Sequence, residues 1–180
     1  LEQCLPDALP PVARQHARVD DPAGCAILRD GAAQVPDHPV IGRGNPDERG
    51  EEIVELAQKE GVIKGILLHQ GESNTNDSLW TAKVKKIYDN LIRDLSLDPK
   101  SVPLLAGEVV NADQDGACAS MNKIIATLPE KVPNSYVISS SMCTDNRDNL
   151  HFNSAGYRKF GTRYAVKMLS LLGYTVPDPQ

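Results

Sequence analysis

The sequence predicts an α/β sandwich built on a parallel sheet. Two observations carry that expectation. Short apolar runs bounded by turn residues alternate with amphipathic segments of helical period from about residue 46 to residue 172. The runs are also apolar at nearly every position, as strands buried on both faces of a parallel sheet are. Asp47 and Glu48 open the first helix, where acids suit the N-terminal dipole, with Ile53, Val54 and Ala57 on one face and Gly61 as its stop. Residues 62–68 (Val-Ile-Lys-Gly-Ile-Leu-Leu) form the first buried strand. Asp77 or Ser78 caps a second helix carrying Trp80, Val84, Ile87, Tyr88, Leu91 and Leu95 on one stripe. Residues 102–106 make the next strand, with Pro103 near its start, where a missing N–H is tolerated. A short helix over 121–128 and a strand over 136–140 follow. A last helix runs over 154–172 through Tyr157, Tyr164, Ala165, Met168 and Leu172, and Gly173 ends it.

The first stretch of chain has a different composition. Residues 1–50 hold seven of the 13 prolines and neither a lysine nor an aromatic residue, so they cannot build a core of their own. Residues 25–28 (Cys-Ala-Ile-Leu) are the best strand fragment there. Three readings stay open for residues 1–46: an extended arm, a partly disordered linker, or a segment foreign to the domain that occupies 47–180.

A net charge of −5 and a pI near 5.3 argue against a nucleic-acid surface or an anionic membrane as partner. No apolar run approaches the ~20 residues that span a bilayer. The opening residues show neither a charged n-region nor an h-region, so no signal peptide is read there. Cys4, Cys25, Cys118 and Cys143 lack metal-ligand spacing, so no metal is expected. Free thiols are the default, and a 4–25 or 118–143 disulfide stays open.

In open parallel sheets, functional groups gather in the loops at the carboxyl ends of strands. After the first strand stand His69, Gln70, Gly71, Glu72 and Ser73; after the second, Gly107 and Glu108; after the third, a long polar loop that includes Asp148 and His151. Asp148 lies three residues before His151, so a short turn can bring both side chains to one side of the loop. The acid can then orient the imidazole while the imidazole takes a proton from a hydroxyl. The competing reading is an Asp148 that only caps the following turn. Glu72 is either a second carboxylate that holds His151 or a solvated loop residue. His69, at a strand end, reads as a hydrogen-bonded core histidine rather than a second base.

Residues 64–73 (Lys-Gly-Ile-Leu-Leu-His-Gln-Gly-Glu-Ser), 103–108 (Pro-Leu-Leu-Ala-Gly-Glu) and 148–152 (Asp-Asn-Leu-His-Phe), with Gly156, Tyr157 and Arg158 after them, closely resemble three blocks of one family. That family is the acetylxylan esterases and sialate O-acetylesterases among the SGNH hydrolases. The resemblance covers roughly residues 50–172, and three blocks in the right order are far more specific than one. It implies a flavodoxin-like three-layer α/β/α fold, hydrolysis of acetyl esters on carbohydrate, and no cofactor. By the matching positions it implies His151 as general base, Asp148 or Glu72 as the acid that orients it, and Gln70 and Gly71 at the same pocket, with Gln70 a donor to oxyanion or sugar. It suggests export, which nothing in the chain encodes.

One block departs from the pattern. The family's nucleophile sits in a Gly-Gln-Ser-Asn or Gly-Asp-Ser turn near the N-terminus, and here the first serine is Ser73. Gly71-Glu72-Ser73-Asn74 imitates that turn, which makes Ser73 a minor candidate nucleophile. The alternative function is a catalytically inactive domain that binds acetylated carbohydrate.

Overall fold

In the computed structural model, residues 25–30 and 46–176 are described, with side chains from residue 53 onward. The strands are β1 (Cys25–Asp30), β2 (Val62–His69), β3 (Leu104–Gly107) and β4 (Ser135–Ile138). The helices are α1 (Pro46–Glu60), α2 (Trp80–Asp94), α3 (Met121–Ile125), α4 (Leu128–Lys131) and α5 (Ser154–Leu171). The sheet order is β1-β2-β3-β4. The expected parallel sheet is present in β2, β3 and β4, while β1 pairs antiparallel on the β2 edge.

Side-chain alternation divides the core into two halves, one on each face of the sheet. Ile66, Leu104 and Ala106 point to the face covered by Trp80, Val84 and Tyr88 of α2, Met121 and Ile125 of α3, and Leu128 of α4. Val54 of α1 joins this half, and the Gln58 amide donates to the Leu95 carbonyl. Leu105 and Ile138 point to the opposite face, where Phe160, Tyr164 and Met168 of α5 cover them. The result is a three-layer α/β/α domain.

Several boundaries move for identifiable reasons. β3 starts at Leu104 because Pro103 has no N–H, and the Val102 carbonyl accepts the Tyr88 hydroxyl at 2.9 Å instead. The helix expected over 121–128 splits in two, and Pro129 sits in the first turn of the second piece. β4 ends at Ile138, because the next backbone groups turn toward side chains of the site. Ile53 and Ile87, expected on buried stripes, are 49% and 60% exposed. Ile87 lines an apolar groove of about 270 Å³ between α2 and β2. Asp77, in the turn before α2, accepts the Leu79 N–H with its side chain, while Ser78 makes no cap. Cys118 and Cys143 are both free, so the 118–143 disulfide does not form. Cys4 lies outside the described residues, as do 1–24 and 31–45.

Candidate active site

The sheet register brings three strand ends level: His69 of β2 pairs with Gly107 of β3, which pairs with Ile138 of β4. All three polar loops therefore leave from one edge.

The third loop folds back on itself. Asp145 and Phe152 form an isolated antiparallel bridge, the Asn146 N–H donates to the His151 carbonyl, and the Asn149 N–H donates to the Asp145 carboxylate. Arg147 and Asn149 adopt positive φ, 63° and 58°, which lets the chain reverse within a few residues. The reversal puts the Asp148 carboxylate over the two backbone N–H groups that follow it. Its Oδ1 accepts from Leu150 N at 2.9 Å and from His151 N at 2.8 Å, and its Oδ2 lies 2.7 Å from His151 Nδ1. The His151 N–H, the imidazole and the Leu150 N–H, in that order, hold the Asp148 carboxyl at about 2, well below its ordinary value. In the neutral ring, a carboxylate acceptor at Nδ1 favours the tautomer with its proton there, which leaves the Nε2 lone pair free. The His151 side chain is 66% exposed, and its Nε2 makes no hydrogen bond among the described residues. Asp148 thus caps its turn and holds the imidazole at once.

The middle loop braces the third. Glu108 accepts from Ser140 N at 2.9 Å and from the Asn111 amide at 3.0 Å. Asp113 accepts from the Ser141 hydroxyl and from Met142 N, both at 2.8 Å. The Asn149 amide donates to the Asp115 carbonyl, and Ala117 N donates to the Asn149 carbonyl. Asn153, just before α5, accepts from Ala155 N and Gly156 N while its amide donates to the Asp145 carbonyl. Asn111, Asp113 and Asn153 were not singled out in the sequence. Only Asn153 carried a usable signal, a capping residue one position ahead of a helix.

The first loop differs from expectation. The Gln70 amide donates to Asn74 Oδ1 at 2.7 Å, and its oxygen accepts the Trp80 indole N–H at 2.7 Å. Its polar ends are engaged within the loop and α2. Gly71 is buried, and a Cβ there would meet Val109, Met121 and Ile125, so it faces the core. Ser73 is exposed on a 3-10 turn (Glu72–Asn74) and makes no hydrogen bond to His151. The Glu72 carboxylate makes no hydrogen bond among the described residues, and the Nδ1 of His151 is held by Asp148 alone.

The half-buried His69 ring packs against Phe152, Tyr157 and Phe160, with ring centroids at 5.6, 6.3 and 5.4 Å. Its Nε2 is buried without a hydrogen-bond partner. Burial lowers its pKa, against the opposing pull of Glu72 and of the Glu108 backbone. His69 is therefore a half-buried residue among aromatic rings, and the hydrogen-bonded core histidine expected from the sequence is corrected on both counts.

Three layers, a parallel sheet and a polar site at its carboxyl edge place the chain in the class of SGNH-type α/β hydrolase domains. A family model described as carbohydrate esterase, sialic acid-specific acetylesterase matches residues 49–170, and the chain belongs to that family. Among the described residues no three His, Cys, Asp or Glu side chains converge as a metal site would need, and no helix is long and apolar enough to cross a membrane.

Proposed function

We propose that this domain acts on O-acetylated carbohydrate, with Asp148 and His151 as the acid–base pair for acetyl ester cleavage. The observation that carries this reading is the 2.7 Å Asp148–His151 contact, which leaves an oriented, solvent-facing Nε2 lone pair. In the proposed cycle Nε2 takes the proton of a hydroxyl as its oxygen attacks the acetyl carbonyl carbon. The imidazolium, stabilised by Asp148, then returns that proton to the departing sugar oxygen as the ester C–O bond breaks. Water reverses the sequence and releases acetate.

The hydroxyl is the open position in this scheme. Every serine and threonine of the chain lies at residue 73 or beyond, and among the described residues none is hydrogen-bonded to Nε2. Ser73 follows Glu72 at the same sheet edge and is exposed, which keeps it as the minor candidate for that hydroxyl. The vacancy at Nε2 also favours a second reading, a domain that binds acetylated carbohydrate without turning it over.

Acetate release from an acetylated xyloside separates the two. Loss of turnover in both His151→Ala and Ser73→Ala supports an acyl-enzyme on Ser73. Loss in His151→Ala alone retains the acid–base pair and excludes that serine. A folded wild type no faster than His151→Ala leaves the binding reading.

A further inference from the structure

Glu72 and Tyr157 share an unusual situation. The Glu72 carboxylate has no hydrogen bond or ion pair, and the Tyr157 hydroxyl has no hydrogen bond among the described residues. Both stand near His69: Glu72 opens the 3-10 turn three residues after it, and the Tyr157 ring stands edge-on to the imidazole with centroids 6.3 Å apart. His69 does not satisfy the acid: its Nε2 is without a hydrogen-bond partner, and no ion pair joins it to Glu72 among the described residues. Tyr157 belongs to the first turn of α5, and its centroid lies 5.5 Å from that of Phe152, the residue directly after His151. Half of the Tyr157 side chain remains exposed. A partly exposed aromatic ring, an unpaired carboxylate and an oriented imidazole are thus gathered at one strand edge.

We propose that Tyr157 and Glu72 form the sugar-binding subsite beside His151: the Tyr157 ring stacks against the C–H face of a pyranose, and the Glu72 carboxylate accepts hydrogen bonds from its hydroxyls. The inference rests on the acetylated-carbohydrate reading above and assigns Glu72 to the substrate rather than to His151. Pyranoses present an apolar face and a hydroxyl rim, which an aromatic ring beside a carboxylate complements.

Calorimetric titration with methyl N-acetyl-β-glucosaminide tests the subsite, because the amide replaces the ester and is not cleaved. Tyr157→Ala should raise the Kd about three- to tenfold, the range that aromatic contacts of this kind supply. Tyr157→Phe should bind close to wild type, since the ring and not the hydroxyl carries the stack. Glu72→Gln should weaken binding while leaving the circular dichroism spectrum unchanged. Equal affinity in wild type and Tyr157→Ala, or no binding by folded wild type, overturns the proposal. Because the probe is never hydrolysed, these outcomes are independent of whether the chain releases acetate.

Discussion

At the scale of single residues, the pair at 148 and 151 was legible because its chemistry depends on local spacing. An acid three residues before a histidine needs only one turn to reach Nδ1, and the positive φ of Arg147 and Asn149 supplies that turn. The surroundings of Gln70 and Glu72 were not legible, since Gln70 is held by residues further along the chain and the Glu72 carboxylate finds no partner among the described residues. Gln70 is claimed by Trp80 ten residues on. His69 gives a prediction at this scale. Its folded pKa lies below its ordinary 6.5, so between the two values the unfolded chain binds the proton and the folded chain does not. Its contribution to stability is therefore complete above pH 6.5 and is lost as the pH falls through the folded value. Thermal melts between pH 7.5 and 5 should show a smaller acid loss of Tm for His69→Phe than for wild type. Parallel curves would mean that His69 is protonated equally in both states. The Asp148 carboxylate, held at about 2, works in a separate window, losing its contribution only as the pH drops from about 3.8 through 2.

At the scale of elements, period and punctuation located the helices and the β2–β4 strands to within a few residues. Errors fell where tertiary bonds outbid local pattern: Ser140 N goes to Glu108 rather than to a strand neighbour, and Ile87 faces an open groove despite its place on the α2 stripe. The N-terminus of α5 is the element on which the site most depends. Asn153 caps two N–H groups, accepts the Thr144 hydroxyl at 2.9 Å and donates to the Asp145 carbonyl at 2.7 Å. Gly156 lies so close to the Thr144 carbonyl that a Cβ there would stand 2.1 Å from its oxygen. The helix and the loop carrying Asp148 and His151 are therefore joined as one unit. Asn153→Ala should cost about 1–2 kcal/mol through the lost cap, lowering Tm by about 2–8 °C in denaturation scans. Hydrolysis should fall with it as the loop loosens. An unchanged Tm would show that the loop holds its shape without that side chain.

At the scale of the whole molecule, alternation of strand and helix was enough to predict three layers, because each crossover helix must cover a face of the sheet. The pairing of β1 was not legible. Residues 25–28 showed an apolar fragment, but its direction depends on which strand edge stays open once the others have paired, and that is not written in six residues. Close packing across the sheet was equally hidden. Gly107 admits Phe160 and Tyr164 so tightly that a Cβ would come within 2.2 Å of the Tyr164 hydroxyl, which donates to the Leu68 carbonyl at 2.7 Å. This contact seats α5, and with it Tyr157 and the loop carrying His151, on the carboxyl edge. The proposed chemistry of the whole domain rests on the Asp148–His151 pair. The most direct test is kcat/KM for acetate release from an acetylated xyloside by wild type and by Asp148→Asn. A fall of roughly 10²- to 10⁴-fold in the variant, with an unchanged fold, is the expected result, because an amide at Nδ1 no longer fixes the tautomer or stabilises the imidazolium. Equal rates in the two proteins, or a well-folded wild type that releases no acetate, would contradict the account.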